Sequence, residues 1–145
     1  MSRKEIGYKV VKINTTKFSF KEIEYQLVDE IFNNKDILAI ELEVGLGIEK
    51  DKSQIFLEIN TTLTDKKTDD ILVAHTGKTT YSIQGLDSTY KTGGESFDLP
   101  DELVIQLYSL AYSHARALLS VELNSTVFKD KFYLPVIDPS NIIKR

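Results

Sequence analysis

The stretch LAIELEVGLGIE, residues 38–49, decides the fold of this chain. Apolar side chains occupy every second position from Leu38 to Ile48, and Ala, Glu and Gly fill the positions between them. A period of two is typical of a β-strand that buries one face and leaves the other in water. The stretch therefore predicts a half-buried strand of an antiparallel sheet.

Two more strands follow directly along the chain. After a turn at residues 50–53, residues 54–63 alternate in the same way. A second turn at residues 64–69 leads into a long strand from Ile71 to about Gly85. We expect the odd-numbered residues of this long strand to share one face, because side chains alternate along a strand.

A fourth strand precedes the alternating stretch. Residues 8–20 are rich in Val, Ile, Thr and Phe, which favour strands, and their alternation slips between Ile13 and Phe18. The slip predicts a β-bulge. The connecting residues 21–34 carry apolar side chains at helical spacing and fit a short amphipathic helix or an ordered crossover loop equally well.

The last third of the chain changes to a helical period. Asp98 is the expected N-cap, with Pro100 in the first turn of a helix that runs from about Leu99 to Leu123. Its apolar residues form two stripes, and the only charged residue between Leu103 and Val121 is Arg116. The first stripe is Leu103, Leu107, Leu110, Ala111, His114, Leu118 and Val121, and the second is Val104, Tyr108, Tyr112, Ala115 and Leu119.

This apolar helix predicts an oligomer. One sheet covers only one side of a helix, so we expect the second stripe to lie in an interface with another copy. The fold class is α+β: a four-stranded antiparallel sheet followed by a long C-terminal helix, in a single domain of residues 1–145.

Composition excludes several function classes. The chain has no cysteine and only two histidines, which argues against disulfides, metal centres and thiol catalysis. A formal net charge of -4 argues against nucleic acid as the partner. With no leader-like or membrane-spanning segment, we expect a cytoplasmic protein without membrane insertion.

No arrangement of residues predicts catalysis. The histidines His75 and His114 fall on apolar stripes, where a core histidine is more common than a catalytic base. A nucleophile, a base and an orienting group are not found together in any motif. We therefore expect neither an enzyme nor a cofactor.

Several aromatic residues lie where the sheet and helix do not obviously need them. They fill the core or an interface, or they line an apolar groove for extended, unfolded polypeptide. The candidate groove residues are Phe18, Phe20, Ile48, Phe56, Tyr90, Phe128, Phe132 and Tyr133.

Four short motifs and the element order resemble the SecB protein-export chaperones and their SecB-like relatives. The motifs are TYSIQGL at residues 80–86, LAYSHAR at 110–116, NSTVF at 124–128 and LPV at 134–136. The resemblance implies a dimer of dimers with the long helices sandwiched between sheets. It also implies an ATP-independent holdase that binds unfolded chains and passes them to a partner.

The sequence departs from that family at two places. The positions that match the family's acidic SecA-docking residues are Lys17, Lys21 and Ala74, which argues against docking of SecA. The family's second helix, a lip of its groove, would follow Val136, and the residues after Asp138 leave room for one turn.

The leading functional hypothesis is a holdase chaperone linked to protein export. Two alternatives remain open at this point. One is a dedicated chaperone of a single partner, such as the antitoxin of a toxin and antitoxin pair. The other is an assembly module that has the fold and binds no clients.

Overall fold

The computed structural model describes residues 7–33, 36–85 and 99–135. Its elements confirm the predicted order, and the open choice for residues 21–34 resolves to a short helix. They are β1 (Tyr8–Phe20), α1 (Tyr25–Asn33), β2 (Leu38–Glu49), a 3-10 turn (Lys50–Lys52), β3 (Gln54–Asp65), β4 (Asp70–Ile83) and α2 (Asp101–Leu123).

The four strands form one antiparallel sheet in the order β1-β4-β3-β2. The connection through α1 carries the chain from one edge of the sheet to the other, so β1 and β2 are both edge strands. Strand β2 pairs with β3 without any register shift, from Leu38 opposite Asp65 to Glu49 opposite Gln54. Strand β1 has two shifts, between Val10 and Lys12 and between Thr15 and Lys17.

The second of these shifts is the predicted bulge, and the first was not predicted. An unpaired residue is left at each place, and the strand changes phase there. The alternation hides the first shift because Val10 and Val11 are both apolar.

Helix α2 packs on one face of the sheet, here called the inner face, over β4, β3 and β1. The core forms where apolar residues of β3 and β4 meet the helix, as at Ile59, Tyr81 and Leu107, which have no exposed surface. The Tyr81 hydroxyl donates a 2.6 Å hydrogen bond to the Leu107 carbonyl. Gly77 permits the close approach, because a Cβ there would lie 3.2 Å from the Ala115 Cα.

Two local predictions were wrong. Ile71 does not share the inner face but is 56% exposed, because a register shift at Leu63 and Thr64 leaves Leu72 outside the ladder and buried in its place. Asp98 is not the N-cap of α2, since Pro100 occupies that position without a side-chain cap.

The second stripe of α2 is covered by its own chain. Val104, Tyr112, Ala115 and Leu119 are at most 5% exposed, and Tyr108 is half-buried. The inference of a second copy therefore loses this support, because the two stripes merge into one broad buried face. The exposed face of α2 carries Gln106, Ser113, Ala117 and Val121 instead.

Neither described helix has the length and hydropathy that crossing a membrane requires.

Candidate polypeptide-binding surface

The apolar inner-face residues of β2 form a partly uncovered row. This β2 row consists of Leu38, Ile40, Leu42, Val44, Leu46 and Ile48. Its residues share a face with the buried side chains of β3, since Val44 lies opposite Ile59 and Leu46 opposite Leu57. However, α2 packs on the other three strands, and Ile40, Leu42 and Leu46 remain 44%, 36% and 40% exposed.

The backbone of β2 is available as well. As an edge strand it pairs with β3 on one side only, and its 12 residues run without a bulge. A long, flat, apolar edge is a template for pairing with another extended chain. Such strand addition supplies main-chain hydrogen bonds, and the alternate side chains of the added strand meet the row.

An aromatic cluster lies at the start of this strand. Phe32, in the last turn of α1, contacts Phe128 and Phe132 with ring centroids 5.9 and 6.1 Å apart. A short connection through Ile37 joins α1 to Leu38, the first residue of the β2 row. The cluster and the β2 row are therefore close along the chain, with Phe32 six residues before Leu38.

Residues 124–135, here called the return segment, are held by both helices. On the α1 side, Lys131 forms a 2.6 Å ion pair with Asp29, and this bond raises the pKa of Lys131. On the α2 side, the Tyr112 hydroxyl donates to the Pro135 carbonyl and Arg116 Nε donates to the Leu134 carbonyl. Arg116, the only charged residue between Leu103 and Val121, therefore holds the last described residues of the return segment.

The seven predicted groove residues that the structure describes do not lie on one surface. Phe18 and Phe20 stack on each other at the β1 edge, across the sheet from β2. Ile48 is half-buried at the far end of the β2 row. Tyr90 lies outside the described residues.

The remaining four are divided between the core and separate surfaces. Phe128 has no exposed surface, so it belongs to the core beneath Phe132 and Phe32. Tyr133 is 59% exposed and donates to Asp130, which raises the pKa of the phenol.

Phe56 points to the opposite, outer face of the sheet. Its ring lies where a Cβ of Gly47 would be, and Lys78 Nζ sits 4.3 Å from the ring centroid. The ring is therefore already in contact with neighbours within the sheet.

Both histidines bond to threonine. His75 is 2% exposed, its Nε2 lies 2.9 Å from Thr15 Oγ1, and burial lowers its pKa to about 4. His114 Nδ1 lies 3.0 Å from Thr79 Oγ1, and burial lowers its pKa too. The Nδ1 of His75 has no hydrogen-bond partner among the described residues, so no carboxylate orients this imidazole as in a catalytic triad.

Sequence reasoning missed two parts of the candidate surface. Ile40, Leu42 and Leu46 were expected to be buried by the core, and Phe32 was treated only as part of an uncertain connection. The sequence did contain a sign that the β2 residues could be exposed, because a strictly alternating strand that follows a crossover can lie at a sheet edge. Nothing in the sequence indicates which edge α2 leaves bare.

The sequence matches no family model and no curated protein. Among solved structures, the chain is similar to the SecB-like chaperone Rv1957 of Mycobacterium tuberculosis, solved in complex with a ChAD peptide from the Rv1956 HigA1 antitoxin. The TM-score is 0.55 at 11% identity, covering 90% of this chain and 87% of the other. A protein of unknown function from Streptococcus agalactiae gives a TM-score of 0.51 at 10% identity, covering 92% of this chain and 100% of the other. The chain has the fold of the SecB-like chaperones.

Proposed function

We propose that this protein is a chaperone that binds extended, unfolded polypeptide along the β2 row without using ATP. The observation that carries the proposal is the exposure of Ile40, Leu42 and Leu46 on the inner face of an open edge strand. The similarity in fold to a SecB-like chaperone that is solved with a peptide supports the same kind of ligand.

Apolar burial supplies the affinity. Covering a partly exposed Leu or Ile side chain recovers part of the roughly 1.5–3 kcal/mol that full burial contributes. Backbone bonds to the β2 edge hold the client without reading its sequence, because every residue except proline offers an N–H and a C=O. This combination suits a binder of many unfolded chains.

The aromatic cluster extends this surface. We place Phe32 and Phe132 beside the client, with Phe128 as their support in the core. Among the candidates named from sequence, Ile48 and Phe132 stay in the proposed surface, and Phe18 and Phe20 would form a separate contact at the β1 edge.

The test is suppression of aggregation of a chemically denatured client, followed by light scattering without nucleotide. The wild-type protein should suppress aggregation at or below equimolar amounts, and Ile40→Thr combined with Leu46→Thr should lose most of this effect. The matched control is Val11→Thr combined with Ile71→Thr, which removes equally exposed apolar groups from other strands. Equal suppression by both variants would contradict the proposed surface, and no suppression by the wild type at molar excess would contradict the function.

A narrower function is a chaperone for one partner chain. The similar structure from Mycobacterium tuberculosis holds a peptide from an antitoxin, which favours this version. A dedicated chaperone should protect one partner encoded beside it far better than a panel of unrelated denatured proteins. Equal protection across the panel would favour the general holdase and a link to export.

Association of copies belongs to this proposal too. Beyond its first turn, which carries Asp101 and Glu102, the exposed face of α2 is uncharged, with Gln106, Ser113, Ala117 and Val121 on it, and Val121 is 65% exposed. Small residues allow helices to approach closely, so this face rather than the buried stripe is the proposed contact in a dimer of dimers. Light scattering at micromolar concentration would decide, since a monomer there contradicts it.

A further inference from the structure

The outer face of the sheet, opposite α2, separates its charges by strand. Strand β2 carries Glu41, Glu43 and Glu49 on this face, at the alternate positions that face away from the β2 row. At the other edge, β1 carries lysines. The three lysines of this edge, Lys9, Lys12 and Lys17, pair with the outward-facing β4 residues Ser82, Thr80 and Thr76.

The bulges in β1 create this lysine column. Lys9, Lys12 and Lys17 are separated by three and five residues, and odd separations place side chains on opposite faces of a regular strand. Each bulge inserts one extra residue and restores the phase, so all three lysines reach the outer face. The two bulges of β1 therefore act together to place its lysines on the same face.

Together with β4 the column is continuous. Lys78 lies opposite Asn14, in the row between those of Lys12 and Lys17. Four successive outward-facing rows thus each hold one lysine, about 6.7 Å apart along the strand. We call Lys9, Lys12, Lys78 and Lys17, in this spatial order, the lysine ladder.

The three β1 lysines of the ladder are exposed and available to a partner. Within residues 7–33, 36–85 and 99–135, none of them forms an ion pair, whereas Lys21, Lys52 and Lys131 each have a carboxylate within 4.0 Å. Lys78 is half-buried, with its ammonium over the Phe56 ring. The unneutralised charge therefore concentrates along β1.

We propose that the lysine ladder docks an extended acidic segment of a partner protein, with Asp or Glu at alternate positions. An extended chain repeats its side chains on one face every two residues, at the same spacing of about 6.7 Å as the rows of the ladder. Its carboxylates would then meet the exposed ammonium groups of Lys9, Lys12 and Lys17, while Lys78 keeps its contact with the Phe56 ring. This surface faces away from the β2 row, so the proposal does not rest on the proposed chaperone function.

A protein partner fits this face better than a nucleic acid. Proteins that bind single strands combine basic charge with aromatic rings on which bases stack. The aromatic ring on the described outer face, Phe56, is already covered by Lys78 and lies against Gly47.

The experiment measures binding of a fluorescent nine-residue peptide with Asp at alternate positions and Thr between them. The wild-type protein should bind it at low salt, and Lys9→Gln, Lys12→Gln and Lys17→Gln together should weaken binding about tenfold, as expected for losing three exposed ion pairs. The control replaces Lys66, Lys67 and Lys129 with Gln, which removes the same charge from exposed sites elsewhere. A peptide of equal composition with its Asp residues in one block should bind more weakly.

Four outcomes overturn the proposal. An equal loss in the control variant would show that net charge alone attracts the peptide. Equal binding of the block peptide would show that the spacing of the ladder is not used. Tighter binding of a single-stranded oligonucleotide would assign the face to nucleic acid. A fall in oligomer mass in the ladder variant would assign it to the acidic β2 column of a second copy.

The ladder variant also separates this proposal from the chaperone proposal. Glutamine removes the charge but keeps an exposed polar side chain that is one atom shorter than lysine, so circular dichroism and thermal unfolding should match the wild type. Suppression of client aggregation should stay unchanged in the ladder variant, because the β2 row is intact.

Discussion

The two edge strands of this sheet expose opposite kinds of surface. Strand β2 pairs without a register shift and exposes an apolar row on its inner face. Strand β1 contains two bulges and places lysines along its outer face. Natural sheets protect their edges with bulges and charge, and β1 uses both. Strand β2 has glutamates on its outer face but no bulge, so its backbone stays regular and able to accept another chain.

Support for the two edges also differs. Strand β1 contacts α2, and the Tyr8 hydroxyl donates a hydrogen bond to Gln106 Oε1 of that helix. Strand β2 instead follows α1 along the chain, and Phe32 of α1 packs with Phe128 and Phe132 of the return segment. Removing one of these supports should therefore increase hydrogen exchange at one edge strand before the other, and this difference can be measured.

The largest effect is expected from Phe128→Ala. The side chain is fully buried between the return segment and α1, and emptying such a site costs about 3–5 kcal/mol. Urea unfolding should show this loss, and hydrogen exchange should rise first in α1 and at the start of β2. Phe132→Ala, at a half-buried position, is the control with a smaller loss. A cost below about 1 kcal/mol would contradict the role of Phe128 as a support.

The second effect is a loss of stability in acid that begins at the β1 edge. His75 is 2% exposed between Thr15 and the Phe18 ring, and its pKa is lowered to about 4 by burial. Its Nδ1 has no hydrogen-bond partner among the described residues, so a proton there would remain unsatisfied. The unfolded chain binds this proton near its ordinary pKa of 6.5 and the folded chain only near 4.

The contribution of His75 to the free energy of unfolding is therefore complete above pH 6.5. It is lost as the pH drops towards 4, and the total loss is roughly 3 kcal/mol. His114, whose pKa is also lowered by burial, acts in the same direction. Urea unfolding between pH 7 and pH 4 measures the fall, and His75→Asn should flatten it. Hydrogen exchange at pH 5 should increase in β1 more than in β2, and the reverse order would contradict the assignment to His75.

The sequence was sufficient to predict which side chains of most strands lie on the inner face of the sheet. Strict alternation placed Leu38 to Ile48 on the same side as the buried residues of β3, because a period of two leaves one choice of inner face. Order along the chain also predicted the sheet and α2. These features depend on local pattern, which a single sequence contains.

The extent of burial was not predictable in the same way. Whether Leu42 is covered depends on where α2 crosses the sheet, and the helix reaches β4, β3 and β1. The stripe that includes Tyr112 and Ala115 was assigned to a second copy because its cover within the chain, the return segment at Tyr112 and the sheet at Ala115, was not apparent. A periodic pattern shows that a side chain prefers burial, and it does not show which element supplies the cover.

The smallest effect on stability is expected from straightening β1. Removing Val11 and Thr16, the residue left over at each bulge, keeps Val10 on the inner face and the lysines on the outer face, so the core contacts are preserved. Unfolding free energy should change by less than about 1 kcal/mol. The edge, however, becomes as regular as that of β2, and self-association should rise with concentration in light scattering. Restoring only Thr16 should restore part of the protection. If the straightened protein stays at the wild-type mass, the bulges do not protect the edge, and the lysines alone do so.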